Sequence, residues 1–139
     1  MSKIDPAEFN EIIQTELPWA AESGIYLSKI EQGFAEIVLP FHESSLRPGG
    51  TIAGPHMMML ADVCMYAVVL SLVGELKLAV TTNFNINFLR KPRACDLIAS
   101  GRIIKHGKRL AVIEVSVYSD DDIVAHATGT YSIPPIETS

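Results

Sequence analysis

The sequence predicts an α+β domain in which an antiparallel sheet wraps around one long central helix. The first observation is the run from Gly54 to Gly74, GPHMMMLADVCMYAVVLSLVG, which is apolar at almost every position except Asp62. The second is the alternation of apolar and polar residues after this run, which is typical of half-buried strands. A helix that is apolar on nearly all sides has to be surrounded, and here the sheet must surround it.

The composition is that of one globular domain spanning residues 1–139. Because 48% of the residues are hydrophobic and only 19% are charged, the chain can bury a full core. The net charge of −5 argues against a nucleic-acid binder, which would carry a broad basic face. Cys64 and Cys95 form no spacing motif, and Cys64 is expected to be a buried free thiol. The start, MSKIDPAEF, lacks a signal-peptide pattern, so we expect a cytoplasmic protein.

A membrane span has to be considered for residues 57–73, whose length is at the short edge of the spanning range. Asp62 lies inside this run, and a carboxylate in the middle of a bilayer is energetically expensive. The segment that follows has the pattern of a soluble sheet. We therefore expect a buried core helix and no membrane partner.

The N-terminal residues 5–17, DPAEFNEIIQTEL, predict a helix. Asp5 is a suitable N-cap, Pro6 suits the first helical turn, and Glu8 follows the cap by three residues, as in a capping box. Pro18 is expected to end this helix.

Two strands and a loop connect this helix to the central one. Residues 25–41 predict two short strands with a hairpin at 32–33. The Ser, Gly and Pro residues clustered in 42–55 predict a loop. Pro55 then suits the first turn of the central helix, and Gly74 is a natural C-terminal stop.

The rest of the chain predicts four strands, with turns at 106–108 and 120–122. Residues 78–92 alternate strongly, so their strand has a polar face and a mostly apolar face. These faces are formed by Asn83, Asn85 and Asn87 and by Thr82, Phe84, Ile86 and Phe88.

Several stretches resemble one known family. They are GTIAGPHMMMLADVCMYA at the helix, NFLRKP at a strand end, the GKR turn and the final AxGTY strand. Together, over residues 20–133, they resemble the hotdog-fold acyl-CoA thioesterases of the phenylacetic-acid-pathway type. The resemblance implies a homodimer or homotetramer in which two sheets join into one, with acyl-CoA as substrate at the dimer interface. It also implies that no metal or organic cofactor takes part.

The resemblance assigns roles to two residues. Asp62 matches the family's carboxylate on the central helix, which acts as base or nucleophile towards a thioester, and Gly54 matches the position whose backbone N–H polarises the thioester carbonyl. Asp62 follows Gly54 by eight residues, which is roughly 12 Å along a helix axis. One carbonyl cannot touch both residues of the same chain. If both act on it, they come from different subunits.

The chain departs from the family pattern around the helix start. The family commonly has His-Gly-Gly where this chain has Ala-Gly-Pro at 53–55, and Pro55 has no N–H to donate. Arg47 stands where a polar amide is common, and Tyr66 stands where a hydroxyl residue follows the acid by one turn. We expect Arg47 and Tyr66 to contact the substrate.

Two further groups are candidates for substrate contacts. Asn83 or Asn85 is a candidate to line the acyl pocket, although a solvated or interfacial polar face, which is ordinary in antiparallel sheets, is the favoured interpretation of both. Arg90, Lys108 and Arg109 are predicted to contact the CoA phosphates, because Arg and Lys bind phosphate oxygens well. A solvated turn with sheet-edge lysines is the competing interpretation of this basic cluster.

Three functions remain open at this point. The first is an acyl-CoA thioesterase, and the second is a non-catalytic acyl-CoA or fatty-acyl binding protein, which the missing histidine suggests. The third is a hotdog hydratase, which would need an Asp/His pair. His56 precedes Asp62 by six residues and is turned away from it by about 120° around the helix. The hydratase is therefore ranked last.

Overall fold

The computed structural model describes residues 1–42, 46–47, 51–52, 54–74 and 79–134, with only the backbone described for 46–47 and 51–52. The helices are α1 (Pro6–Glu16), α2 (Pro18–Ala21) and α3 (Gly54–Val73). The strands are β1 (Tyr26–Glu31), β2 (Phe34–Leu39), β3 (Leu46–Arg47), β4 (Thr51–Ile52), β5 (Val80–Phe88), β6 (Leu97–His106), β7 (Leu110–Ser119) and β8 (Asp122–Ser132).

The start of α1 agrees with the sequence pattern, whereas the prediction for Pro18 was incomplete. The Asp5 carboxylate accepts from the Glu8 N–H at 2.8 Å, and the Glu8 carboxylate accepts from the Asp5 N–H at 3.2 Å, which completes a capping box. Pro18 does follow the end of α1, but it is also the first residue of α2. The first turn of a helix leaves its N–H groups unpaired, so a proline without an N–H costs nothing there.

Six strands form one antiparallel sheet in the order β1-β2-β6-β7-β8-β5. The hairpins joining β6 to β7 and β7 to β8 fall at the two predicted turns. The segment 42–55, which was predicted to be entirely loop, also contains β3 and β4, two strands of two residues each that pair with one another antiparallel.

The helix α3 is the centre of the fold and contacts all six strands of the sheet. It ends at Gly74, whose φ of +81° is the left-handed conformation that suits a glycine stop. Two strand glycines let the helix lie close to the sheet. A Cβ on Gly101 would lie 2.8 Å from the Cys64 Sγ, and one on Gly129 would lie 2.5 Å from the Met65 Sδ.

By length and hydropathy, α3 could also cross a membrane. However, 67% of its most apolar window is buried inside the protein. Its apolar surface is therefore covered by the chain's own sheet, which confirms the prediction of a core helix.

Candidate active site

The half-buried Asp62 carboxylate lies where α3 meets the start of β5 and the end of β8. Its Oδ1 accepts two hydrogen bonds, one from the Thr81 hydroxyl and one from the Tyr131 hydroxyl, each at 2.9 Å. The Tyr131 hydroxyl also lies 3.1 Å from the backbone carbonyl oxygen of Asp62. Among the described residues nothing donates to Oδ2, and this oxygen is not buried. The carboxylate is thus fixed through one oxygen and open to a ligand or water through the other.

The hydroxyl of Tyr131 is suited to be a permanent donor. Its ring is buried and stacks on the Tyr66 ring, with 6.2 Å between the ring centroids and 21° between the planes. Burial and, after it, the negative charge of Asp62 raise the pKa of the Tyr131 hydroxyl far above its usual range. Because the hydroxyl stays protonated, it can donate to the carboxylate throughout the neutral pH range.

A β-bulge explains why Thr81 reaches Asp62. Strict alternation from the inward-packed Phe84 would place Thr82 towards the helix and Thr81 away from it. The pairing with β8 shifts between Thr81 and Asn83, so one extra residue is accommodated there. The bulge thereby changes the side on which Thr81 lies, and its hydroxyl faces the carboxylate.

Two cavities meet at Asp62. The inner cavity, of about 280 Å³, lies towards α1 and the end of β8 and is lined by Glu16, Leu17, Trp19, Asp62, Val63, Tyr66, Ala79, Val80, Thr81 and Tyr131. The outer cavity, of about 350 Å³, lies towards the middle of β5 and is lined by Trp19, Met58, Met59, Asp62, Thr81 and Phe84. Trp19, Asp62 and Thr81 line both, so Asp62 lies where the two cavities adjoin.

Gly54, the predicted carbonyl-polarising residue, is the first residue of α3. A Cβ added to it would lie 3.4 Å from the Cζ of Phe88, so Gly54 lies beside the far end of β5. Ala53 and the Arg47 side chain fall outside the described residues. His56 is half-buried, and it is not among the described residues that line the two cavities.

Tyr66 and the two asparagines have different surroundings. Tyr66 lines the inner cavity with Asp62, as expected from its position one turn later. Asn83 and Asn85 lie on the face of β5 opposite to the inward-packed Phe84, and the Asn85 amide donates to the Asn83 side chain at 3.0 Å. Neither is among the described residues that line the cavities. Within one chain, strand alternation therefore separates the asparagines from Asp62.

The three basic candidates lie at opposite ends of the sheet. Arg90 follows the far end of β5 and forms an ion pair with Asp122 at 3.2 Å. Lys108 and Arg109 lie in the β6–β7 turn and border a groove of about 640 Å³. We call this the basic groove; it is lined by Lys3, Leu72, Val73, His106, Gly107, Lys108, Arg109, Ile133 and Pro134. One chain therefore does not bring Arg90 together with Lys108 and Arg109.

Three residues of the site were not found by sequence reasoning. Tyr131 belongs to the AxGTY stretch, but nothing in that pattern indicates that its hydroxyl crosses to the helix. Thr81 depends on the bulge, which alternation does not predict. Trp19 follows Pro18, and the expectation that the helix simply ends there gave it no place near Asp62.

Comparison with known proteins identifies the family. The model of the thioesterase superfamily matches residues 49–126, which is more than half of the chain. The chain belongs to the thioesterase superfamily. A relative in Saccharolobus solfataricus, "Putative esterase SSO1253", is 30% identical over 129 residues, covering 91% of this thioesterase and 84% of the relative.

Solved structures agree with this membership. A crystal structure of a "putative thioesterase" from Silicibacter sp. TM1040 is 37% identical, has a TM-score of 0.87, and matches over 97% of this chain and 95% of its own. The PaaI protein of the Escherichia coli phenylacetic acid degradation operon is 20% identical with a TM-score of 0.80, over 94% and 96% of the two chains, which shows a shared fold. These likenesses confirm the hotdog fold, and the family makes this protein a hydrolase that acts on thioesters.

Proposed function

We propose that this thioesterase hydrolyses acyl-CoA thioesters, with Asp62 as the base or nucleophile. The observation that carries the proposal is the Asp62 carboxylate, fixed through Oδ1 and open through Oδ2 at the junction of two cavities. A fixed carboxylate can take a proton from an attacking water, or it can attack the carbonyl and form an anhydride. Both routes use the same free oxygen.

We further propose that the working unit is a homodimer, or a dimer of such dimers, joined through β5. In the described part of the chain β5 pairs only with β8, and Val80 and Phe88 at its two ends are exposed apolar residues. An exposed edge strand of this kind is a template for pairing with another chain. Antiparallel pairing of two β5 strands would join the two sheets into one.

This pairing would also bring Asp62 of one chain to Gly54 of the other. Asp62 is hydrogen-bonded to Thr81 near the start of β5, whereas Gly54 lies beside Phe88 at the end of β5. Antiparallel pairing centred on Asn85, with the extra residue of the bulge left unpaired, brings Thr81 of one copy opposite Phe88 of the other. The start of each β5 then lies beside the end of the partner's β5, which supports a site shared across the interface.

Gly54 would act through its backbone. The N–H groups of the first helical turn have no partner within the helix, and they carry the positive end of the helix dipole. Such an N–H stabilises the negative charge that develops on a thioester oxygen during attack. Pro55 has no N–H, so in this proposal Gly54 is the donor at the helix start.

The basic groove would hold the phosphates of CoA. Tyr131, in the inner cavity, and Ile133, in the groove, are two residues apart on the same face of the chain, about 7 Å along it. The pantetheine arm can therefore run from Asp62 towards Lys108 and Arg109. The antiparallel pairing of two β5 strands would also place the partner's Arg90 near this groove, because Arg90 follows the end of β5 that lies beside the start of the other β5.

The remaining parts of the proposal follow from this substrate. CoA is part of the substrate, and the reaction as proposed uses no metal or organic cofactor. A cytoplasmic location fits the free thiols of Cys64 and Cys95, because oxidising compartments favour disulfides.

Replacement of Asp62 by Asn tests the proposal. Free thiol release from a panel of acyl-CoA esters should be seen with the wild type and should fall by at least about a hundredfold in the variant. Binding of the same esters should persist in Asp62→Asn. The altered helix start, Ala-Gly-Pro at 53–55, favours acyl-CoA binding without turnover as the second candidate. Binding by the wild type with no thiol release above that of the variant would establish this second function instead.

A further inference from the structure

We propose that the outer cavity holds a flexible aliphatic acyl group and that Trp19 and Met58 set the chain length it accepts. This inference rests on the proposed function. It starts from the observation that, in the described part of the chain, two cavities share Asp62 as a lining residue. Trp19 is the apolar side chain that both linings share.

The chemistry of a thioester explains why two cavities are needed. The carbonyl carbon carries two substituents, the acyl chain and the sulfur of the pantetheine arm, and these extend from it in different directions. A carboxylate can attack that carbon, or direct a water to it, only if each substituent has its own space. The junction at Asp62 and Thr81 provides this arrangement.

The linings decide which substituent goes where. Apart from Asp62 and Thr81, the described residues that line the outer cavity are Trp19, Met58, Met59 and Phe84, which suit a hydrocarbon. Methionine side chains adapt their shape, so this lining fits a flexible chain.

The inner cavity, by contrast, is lined by Glu16, Tyr66 and Tyr131 as well as by apolar residues, so it is the more polar of the two and suits the pantetheine arm with its amide groups. It also leads towards the basic groove. The outer cavity is therefore the one that we assign to the acyl group.

Two exposed side chains single out the residues that set specificity. Trp19 is 53% exposed and Met58 is 42% exposed, although both are large and apolar. Large apolar side chains exposed together beside a polar reactive group are typical of a ligand site. An acyl chain that covers them would gain about fourfold in affinity for each methylene group buried.

A pair of cavity-filling variants tests the assignment by binding. Wild type, Met58→Trp and Leu17→Trp would be titrated calorimetrically with S-butyl-CoA and S-dodecyl-CoA, thioethers that cannot be hydrolysed. Met58→Trp fills the outer cavity and should lose at least about tenfold affinity for the dodecyl ligand, with butyl affinity within about twofold. Leu17→Trp fills the inner cavity, which receives the arm common to both ligands, and should weaken both to the same extent. Trp19→Ala should shift the preference further towards the longer chain.

The reverse pattern, with Leu17→Trp selective for chain length and Met58→Trp not, would overturn the assignment. So would wild-type protein that binds neither thioether. Loss of the dimer in sedimentation of Met58→Trp would show that the partner subunit covers this surface, and it would also overturn the assignment. Because binding of a thioether needs no turnover, a wild type that binds both ligands but hydrolyses no acyl-CoA would refute the proposed hydrolysis and leave this assignment standing.

Discussion

Replacement of Tyr131 by Phe isolates the hydrogen bond that fixes the Asp62 carboxylate. The change removes one hydroxyl and leaves the ring, which can still stack on Tyr66. A hydrogen bond to a charged group contributes about 1.5–3 kcal/mol. Thr81 still donates to the same oxygen at 2.9 Å, so we take the lower end of that range. If the activation free energy rises by about 1.5 kcal/mol because the carboxylate is less well oriented, kcat falls roughly tenfold.

The assay is thiol release from the best acyl-CoA substrate, with kcat and KM measured separately. The hydroxyl of Tyr131 contacts Asp62, so kcat should fall while KM stays within about twofold. Tyr118→Phe, which removes a hydroxyl on the opposite face of the sheet, is the matched control and should leave both constants unchanged. The double variant with Thr81→Val should lose more than the sum of the single losses in free energy, because each hydroxyl compensates for the other.

The pH dependence of stability gives Tyr131 a second readout. Its folded-state pKa is raised, whereas an unfolded tyrosine ionises at about 10. The resulting stabilisation is complete below about pH 10 and is lost as the pH rises above it. The free energy of unfolding of wild type should therefore fall more steeply above pH 10 than that of Tyr131→Phe. An unchanged kcat in Tyr131→Phe would refute the positioning role, even if the alkaline difference were found.

Three further predictions concern the helix start, the helix–sheet contact and the outer face of the sheet. Gly54→Ala keeps the N–H and should retain activity within a few fold, whereas Gly54→Pro removes it and should lower kcat by about 10²–10³. Gly101→Ala should cost about 1–3 kcal/mol in the free energy of unfolding, because its Cβ meets Cys64, and Cys64→Ala should recover part of the loss. The hydrogen bond from Arg102 lowers the pKa of Glu114. The ionised Glu114 therefore stabilises the fold above about pH 4.5, and this stabilisation is lost in acid. Arg102→Gln should flatten the decline in Tm below pH 5.

Each of these has a contrary result. Equal activity of the Ala and Pro variants at Gly54 would exclude its N–H as the donor. Independent, additive effects of the Gly101 and Cys64 changes would show that their contact does not limit the packing of α3. If Tm declines below pH 5 to the same extent in wild type and in Arg102→Gln, the ion pair of Glu114 with Arg102 adds nothing measurable to stability.

The sequence carried enough information for the architecture because its strongest signals are local. The apolar run ending at Gly74 specifies the central helix, and the capping box at Asp5 and Glu8 specifies α1. The Asn alternation in β5 specifies which residues share a face. Asp62 could be singled out because a carboxylate is costly to place within an apolar helix.

The rest of the site depends on contacts between distant parts of the chain. The hydrogen bond from Tyr131 to Asp62 spans 69 residues, and no periodicity reports such a pairing. The bulge at Thr81 is set by its partner strand, so alternation within β5 cannot reveal it. Arg90 resembled Lys108 and Arg109 in charge, but its position at the other end of β5 follows from strand order.

Subunit mixing tests directly whether Asp62 of one subunit acts with Gly54 of the other. Asp62→Asn and Gly54→Pro chains carrying different tags would be co-expressed, and the heterodimer would be purified and assayed for thiol release. We expect recovery of up to about half the wild-type kcat per dimer, because one site then combines an intact Asp62 with an intact Gly54 while the other site carries both changes. If the heterodimer is no more active than either parent homodimer, both residues act within one chain or not at all, and a site shared between subunits is refuted.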